Sequence, residues 1–255
     1  MRDLATMGKG KFWVSVLLVS ALTACGSSGG DGGGGGDGGV FDFEGWATLR
    51  SVPGQTITYN AGFTDGTRPF VVPLAFVGDG VTLEDFTIAD TNVAAATLTI
   101  PIDNALIPSG ITVNAVLVAS QAPGNTTITG VVNGTSYTAN INVIGYNEAD
   151  VQLGEERYEN PANANADLRR ACTSCHGQGD LLNHSTAFLA DLTDAEIVQT
   201  AVEGTAIQRR NITTGELESY LPNNGVHTWD VTEAERAGIA AYLRSQPPTA
   251  QLPGQ

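Results

Sequence analysis

The hydrophobic pattern of the chain changes its period near residue 147. From residue 40 to residue 146, short β-rich runs recur between turns that contain Gly, Pro, Asn and Asp. From residue 147 onward, apolar residues recur at the spacing of one helix face instead. The sequence therefore predicts a β-rich segment followed by a helical segment.

The β-rich segment carries six predicted strands. Strands this short and this regularly spaced favour a sandwich over an α/β fold. Asn133-Gly134 is the clearest local signal, because the pair supplies the two positive-φ residues of a tight hairpin turn. Alternating apolar residues on the strand that follows are predicted to face a core, and they are Tyr137, Ala139, Ile141 and Val143. The six strands are predicted at Thr56 to Tyr59, Phe70 to Val77, Thr97 to Ile102, Ile111 to Ala119, Thr126 to Val132 and Thr135 to Ile144.

Three helices are predicted in the segment that follows. The first places Val151, Gly154 and Tyr158 at helical spacing before Pro161. The other two each begin with a capping box, in which a threonine and a glutamate three residues later satisfy early backbone N–H groups. These helices are predicted at Thr193 to Glu203 and at Thr232 to Gln246, with Gly204 and Pro247 as their stop signals.

Residues 172–176 read Cys-Thr-Ser-Cys-His, a C-x-x-C-H motif. On a helical turn, two cysteines three residues apart fall on one face and can both reach the vinyl groups along one haem edge. The next residue then projects its imidazole at the iron. We therefore predict one covalent haem c per chain, held by Cys172 and Cys175, with His176 as the proximal iron ligand.

Two other interpretations of the motif are weaker. A thioredoxin-like redox pair would need a strand before it and a helix after it. A zinc site would need four ligands, but the other histidines are His184 and His227, and no further cysteine lies nearby.

The first residues form an export signal. Arg2, Lys9 and Lys11 make a basic start, and the apolar run Phe12 to Leu22 is too short to span a bilayer. The small residues before Cys25 resemble the bacterial lipoprotein signal, which implies cleavage before this cysteine and lipidation of its thiol. The alternative is an ordinary secretory signal with a chance cysteine.

The segment after Cys25 reads as a tether. Residues 26–39 consist entirely of Gly, Ser and Asp, a composition typical of a flexible linker. By resemblance, Gly26 after the lipidated cysteine implies sorting to the outer membrane. We therefore expect a cell-envelope protein of a Gram-negative bacterium, anchored in the membrane by lipid and facing the periplasm or the cell surface.

The two body segments each resemble a known family. Residues 40–146 resemble bacterial immunoglobulin-like domains in the pattern around Thr87 to Asp90 and Ile141 to Val143. Residues 150–246 resemble class I cytochromes c, with Gly154 and Tyr158 before the motif and Ala241 to Arg244 at the end. In that family the first and last helices cross closely, which would set Gly154 and Tyr158 against Ile239 and Tyr242.

These resemblances imply a multidomain chain, in which an all-β Ig-like sandwich is followed by an all-α class I cytochrome c-like domain. The predicted boundaries are 1–24 for the signal peptide, 25–39 for the lipidated cysteine and linker, 40–146 for the sandwich, 147–248 for the cytochrome domain and 249–255 for the tail.

The family usually supplies a methionine as the second axial ligand, but here Met1 and Met7 both lie in the leader. Lysine is also absent beyond residue 11. Three outcomes remain, namely His227, His184 or a vacant iron. We predict His227, because it lies five residues before Thr232, close to the family's ligand position. His184 follows His176 by only eight residues, which favours the proximal side.

The formal net charge is −15, and no basic cluster is present, so nucleic acid is not an expected partner. Acidic residues outnumber basic ones after residue 148. This excess of negative charge either keeps the protein soluble or attracts a basic redox partner. The expected function is one-electron transfer, without enzymatic activity. The alternatives are a haem sensor or peroxidase-like enzyme with an open distal site, and a surface adhesion protein with an accessory cytochrome domain.

Overall fold

The computed structural model describes residues 57–66, 68, 70–77, 82–98, 113–132, 134–160, 171–173, 189–210, 217–220 and 229–246. The predicted signal peptide, tether and C-terminal tail lie outside these residues.

In the described part of the chain, seven strands precede the first α-helix and form two sheets, with one turn of 3-10 helix at Leu83–Asp85 between the second and third strands. One sheet has four strands in the order β1-β7-β6-β3, and the other has three in the order β2-β5-β4. Strand β1 runs parallel to β7, whereas every other pair in these sheets is antiparallel. The strands are β1 (Ile57–Phe63), β2 (Val71–Val77), β3 (Phe86–Ile88), β4 (Ala94–Leu98), β5 (Val113–Ser120), β6 (Gly124–Val132) and β7 (Thr135–Gly145).

The two sheets share one hydrophobic core. On β6 and β7, buried residues alternate with more exposed ones, which is the pattern of a sheet with one buried face, whereas Tyr59 to Gly62 of β1 are all buried. The largest fully buried side chains of this core are Tyr59, Leu74, Val116, Val118, Ile128 and Ile141. Five predicted strands largely coincide with β1, β2, β5, β6 and β7, whereas the strand predicted at Thr97 to Ile102 overlaps β4 only at Thr97 and Leu98. The short strand β3 was not predicted.

The β6–β7 hairpin confirms the turn prediction at residues 133–134. Val132 pairs with Thr135, which leaves a two-residue loop, and Gly134 has a φ of 77°. Ala139, Ile141 and Val143 are buried, as the alternation predicted. Tyr137 is half-buried and packs against the same core.

Three helices follow in the described residues, α1 (Glu148–Glu159), α2 (Asp194–Ala201) and α3 (Glu233–Arg244). Both predicted capping boxes are confirmed: Thr193 and Glu196 cap α2, and Thr232 and Glu235 cap α3. After α2, the chain turns at Gly204, whose φ of 60° lies in the left-handed region.

The predicted fold class, an all-β Ig-like sandwich followed by an all-α class I cytochrome c-like domain, is wrong. The segment between α2 and α3 contains two strands, β8 (Ile207–Arg210) and β9 (Leu217–Tyr220), which pair antiparallel. The described chain is therefore a mixed α and β structure. Each of these strands has four residues, too few for a hydrophobic period to reveal them in the sequence.

Each of the two parts, the β-rich one and the helical one, contributes a residue to the hydrophobic core of the other. Ala190, from the turn before α2, is fully buried in the core between the sheets. Phe70, from the edge of β2, is buried among the helices and stacks on Tyr146 with ring centroids 6.0 Å apart. The two parts therefore support each other directly.

Candidate haem-attachment site

Helices α1 and α3 cross at two glycines. A Cβ atom on Gly154 would overlap the backbone carbonyl of Gly238 and would lie 2.8 Å from the backbone nitrogen of Ile239. A Cβ on Gly238 would lie 2.7 Å from the carbonyl oxygen of Asp150. Only glycine at both positions lets the backbones approach this closely.

Beside this crossing, Tyr158 of α1 packs on Tyr242 of α3, with ring centroids 5.5 Å apart and planes inclined by 52°. This arrangement confirms the predicted close approach of the first and last helices. The Tyr242 hydroxyl donates to the Glu159 carboxylate over 2.7 Å. Burial and the neighbouring carboxylate raise the pKa of Tyr242.

Cys172, the first cysteine of the motif, is buried in the same apolar cluster as Tyr158 and Tyr242. The neighbouring Thr173 hydroxyl donates to the carbonyl oxygen of Glu159 at the end of α1 over 3.4 Å. The start of the motif is therefore docked against the C-terminal end of α1.

Burial raises the pKa of the Cys172 thiol to about 11, although the positive charge of Arg157 opposes this change. The thiol is therefore protonated at neutral pH. Reactive cysteines of redox pairs have the opposite property, a pKa lowered toward neutrality. This observation disfavours the thioredoxin-like interpretation.

Arg157 is buried next to this cluster, with 3% of its surface exposed. Its Nη1 donates to the carbonyl oxygen of Asn160 over 3.3 Å. Its guanidinium carbon lies 5.7 Å from the centre of the Trp229 ring, within the range of a cation–π contact. The Trp229 backbone N–H donates to the Val202 carbonyl over 2.9 Å, which joins the approach to α3 with the end of α2.

The sequence analysis did not select Arg157, although one signal was available. Arg157 follows Gly154 by three residues and therefore lies on the same face of α1 as the glycine of the crossing. A charged side chain on a helix face that is expected to be buried needs specific polar or aromatic partners, so its position in the sequence indicates a residue of interest.

The chemistry of the described residues fits a covalent haem at Cys172. Thioether attachment uses a thiol, and this thiol lies in an apolar and aromatic cluster, which matches the apolar character of a porphyrin edge. Cys175 and His176, which complete the predicted attachment, lie outside the described residues. So do His184, His227 and the predicted lipidation site Cys25, and these assignments stay predictions.

Within the described ranges, no group of three or more His, Cys, Asp and Glu side chains could hold a metal ion. All three histidines of the chain lie outside those ranges. In the same ranges, no helix has the length and apolar character needed to cross a membrane.

Comparison with known proteins leaves the family open. No protein-family model matches the chain, and no curated protein matches it. The solution structure of amebosin is 12% identical, over 36% of this chain and 100% of amebosin, with a TM-score of 0.24. The crystal structure of the cysteine protease inhibitor EhICP2 from Entamoeba histolytica is 11% identical, over 34% of this chain and 92% of the inhibitor, with a TM-score of 0.20. At these TM-scores neither likeness carries an argument.

Proposed function

We propose that this chain is a cell-envelope mono-haem c-type cytochrome that transfers single electrons. The observation that carries the proposal is the C-x-x-C-H motif at residues 172–176, whose first cysteine is a buried, protonated thiol packed at a helix crossing. The proposal rests on the motif and on its local packing, and it does not depend on the class I fold.

In this proposal each residue has a defined task. The haem supplies an iron that changes reversibly between the ferrous and ferric states. Cys172 and Cys175 would hold the group covalently, and His176 would supply an iron ligand. Tyr158 and Tyr242 pack in the same cluster as Cys172 and would limit the access of water to that edge of the haem. Restricted water access favours the ferrous state, because it lowers the solvation of the extra charge on the ferric state.

His227 is the proposed second ligand. No methionine or lysine remains in the chain once the predicted leader is removed. Two imidazole ligands give a lower reduction potential than one imidazole and one thioether, since methionine ligation raises the potential. The reduction potential of this protein would therefore be lower than that of cytochromes with one histidine and one methionine ligand.

The same missing methionine favours a second candidate function. If His227 does not bind the iron, the distal position is open to small ligands, and the protein is a haem sensor or a peroxidase-like enzyme. Binding of carbon monoxide to the ferrous protein separates the two candidates. Electron transfer predicts a low-spin ferrous form that ignores carbon monoxide, whereas the sensor or peroxidase predicts a bound adduct.

The decisive experiment is a test of covalent haem attachment. The full chain is expressed in a bacterium with a c-type maturation system, denatured, and examined in alkaline pyridine. We expect a c-type spectrum with one haem per chain. The Cys172→Ala/Cys175→Ala double variant is the matched control and should lose the covalent haem. Extraction of the wild-type haem into acidified organic solvent would contradict the proposal.

A further inference from the structure

We infer that Tyr242 and Glu159 form a redox-active pair, in which the tyrosine gives one electron to a strong oxidant while its phenolic proton passes to the carboxylate. The inference goes beyond the proposed function, because it depends on the contact between α1 and α3 and not on the position of a haem. The oxidant that it requires is a one-electron oxidant strong enough to oxidise a phenol, such as an oxygen-centred radical derived from a peroxide.

The hydrogen bond between the two side chains provides a direct path for the proton. The Tyr242 hydroxyl donates to Oε1 of Glu159 over 2.7 Å, the length of a hydrogen bond strengthened by a charged acceptor. Tyr242 lies on α3 and is 5% exposed, whereas Glu159 is the last residue of α1 and is exposed. The proton can therefore move from a buried donor to an acceptor at the surface without any rearrangement of the backbone.

Burial of Tyr242 makes a proton acceptor necessary. Its ring packs in an apolar cluster and contacts the ring of Tyr158, with centroids 5.5 Å apart. Loss of an electron alone would leave a positively charged phenol in these surroundings, and an unpaired buried charge is strongly unfavourable. Glu159 removes this obstacle, because it lies within hydrogen-bond reach of the proton that must leave.

The proposed step transfers one electron and one proton to different acceptors. The Oη–H bond of Tyr242 breaks, and an O–H bond forms at Oε1 of Glu159. The electron passes to the oxidant, whose charge falls by one unit. The products are a neutral phenoxyl radical and a neutral carboxylic acid. When a reductant later returns the electron, the proton moves back along the same hydrogen bond.

A second tyrosine in the chain allows a direct comparison. The Tyr146 hydroxyl donates to Oδ2 of Asp194, also over 2.7 Å. Asp194, however, pairs with Arg244 at 2.8 Å, and the Arg244 side chain is 2% exposed. Protonation of Asp194 would leave that buried cation without its partner, which is costly. Among the residues that the structure describes, no arginine or lysine pairs with Glu159. Tyr242 is therefore the tyrosine whose carboxylate can take the proton.

The test is flash oxidation of the full-length protein as purified, with any haem in the ferric state. Photogenerated tris(bipyridine)ruthenium(III) is the oxidant, and freeze-quench electron paramagnetic resonance detects the tyrosyl radical. We expect a fast phase of radical formation that is slower in deuterated solvent, because an O–H bond breaks. Tyr242→Phe should abolish this phase. Glu159→Gln keeps an oxygen that accepts the hydrogen bond but removes the base, and it should slow the phase by about 100-fold.

Tyr146→Phe is the matched control. It also removes one phenolic hydroxyl that donates to a carboxylate over 2.7 Å, but at the pair that includes Arg244. The rate and amplitude of the fast phase should be the same as in the wild type. Circular dichroism confirms that each variant is folded. If Tyr242→Phe does not fold, Glu159→Gln still tests the pair, because its substituted side chain is exposed.

Three outcomes would overturn the inference. A fast phase that persists in Tyr242→Phe would assign the radical to another residue. Equal rates in Glu159→Gln and the wild type would exclude the carboxylate as the proton acceptor. Loss of the fast phase in Tyr146→Phe would place the reaction at the Asp194 pair. None of these outcomes bears on covalent haem, which the pyridine assay measures separately, so failure of the inference is distinguishable from failure of the proposed function.

Discussion

The guanidinium of Arg244 donates from Nη1 to the backbone carbonyl of Asn60 over 3.0 Å, which joins the last helix to the first described strand. The same side chain donates to the carbonyl oxygens of Leu189 and Leu192 and pairs with Asp194 at 2.8 Å. Its side chain is 2% exposed. One buried cation thus satisfies acceptors from three parts of the chain.

Asn60 completes this junction from the sheet side. Its backbone N–H donates to the Ala190 carbonyl over 2.6 Å, and its side-chain amide donates to the Leu192 carbonyl over 3.0 Å. Residues 189–192 follow the motif-bearing segment, so the sandwich directly supports the chain that leaves the proposed haem site. This arrangement makes the β-rich part a structural platform.

Replacing Arg244 with methionine should destabilise the protein strongly. The change breaks the ion pair with Asp194 and removes the Arg244 hydrogen bonds to the carbonyl oxygens of Asn60, Leu189 and Leu192. Removing one partner of a buried ion pair typically costs about 3 kcal/mol or more. Urea unfolding monitored by circular dichroism measures the loss. Arg68→Met is the control, since Arg68 pairs with Glu148 and Glu155 in a partly exposed position and should cost less than about 1 kcal/mol. Equal losses for the two variants would contradict the assigned role of the junction.

Gly154→Ala should force helices α1 and α3 apart. The new methyl group would meet the Gly238 carbonyl, which is backbone and cannot rotate away. We expect a loss of about 3 kcal/mol or more in the free energy of unfolding. Gly134→Ala is the control, because its Cβ would meet nothing within 4 Å and only the positive φ opposes it. That variant should lose about 1 kcal/mol. A Gly154→Ala protein as stable as wild type would exclude the close crossing.

The haem-free chain should lose stability at alkaline pH. Burial raises the pKa of Cys172 from 9.0 to about 11 in the folded state. The unfolded thiol therefore ionises first, so its contribution to stability is complete below pH 9 and is lost as the pH rises to 11. The loss is about 2 to 3 kcal/mol by pH 11. Urea midpoints at pH 8 and pH 11 for the wild type and Cys172→Val measure it, because only the wild type carries this thiol.

The protein with bound haem should behave differently from the haem-free chain at alkaline pH. A thioether has no proton to lose, so covalent haem should remove the Cys172 contribution to the alkaline loss. A buried tyrosine whose pKa does not depend on Cys172, such as Tyr146, whose pKa is also raised by burial, contributes equally to all of these proteins. An identical alkaline loss in wild type and Cys172→Val would contradict the burial of the thiol.

His227→Ala should open the proposed distal position of the iron. The oxidised protein is expected to change from low-spin to mostly high-spin, and the reduced protein to begin binding carbon monoxide. Optical spectra of both oxidation states measure these changes. His184→Ala is the control and should leave the spectra unchanged if His184 lies on the proximal side. An unchanged spectrum in His227→Ala would show that His227 is not the ligand, and a high-spin wild type would favour the sensor or peroxidase-like function.

Cys25→Ala should release the protein from the membrane. Without the acylated thiol, the chain should be found soluble in the periplasm or as an uncleaved precursor. Membrane fractionation with mass analysis of the N-terminus distinguishes these products from the wild type. Fractionation of the variant as mature, membrane-bound protein would rule out the lipoprotein signal.

Several structural elements could be predicted correctly from short stretches of the sequence. The Thr193 and Thr232 capping boxes join residues three apart, and the turn at Gly134 depends on two adjacent residues. The hairpin's apolar alternation is also local. Such features need no knowledge of the rest of the chain, because their hydrogen bonds and backbone angles are set within one turn.

The tertiary structure alone decided how these elements combine. Nothing near Arg244 in the sequence predicts that it reaches Asn60, 184 residues away. The pairing of β8 with β9 and the burial of Arg157 are likewise set by distant partners. A buried charge or a four-residue strand is stable only when its acceptors or its neighbour are already in place. For that reason the sequence pattern led to an all-α segment, and long-range packing made the described fold mixed.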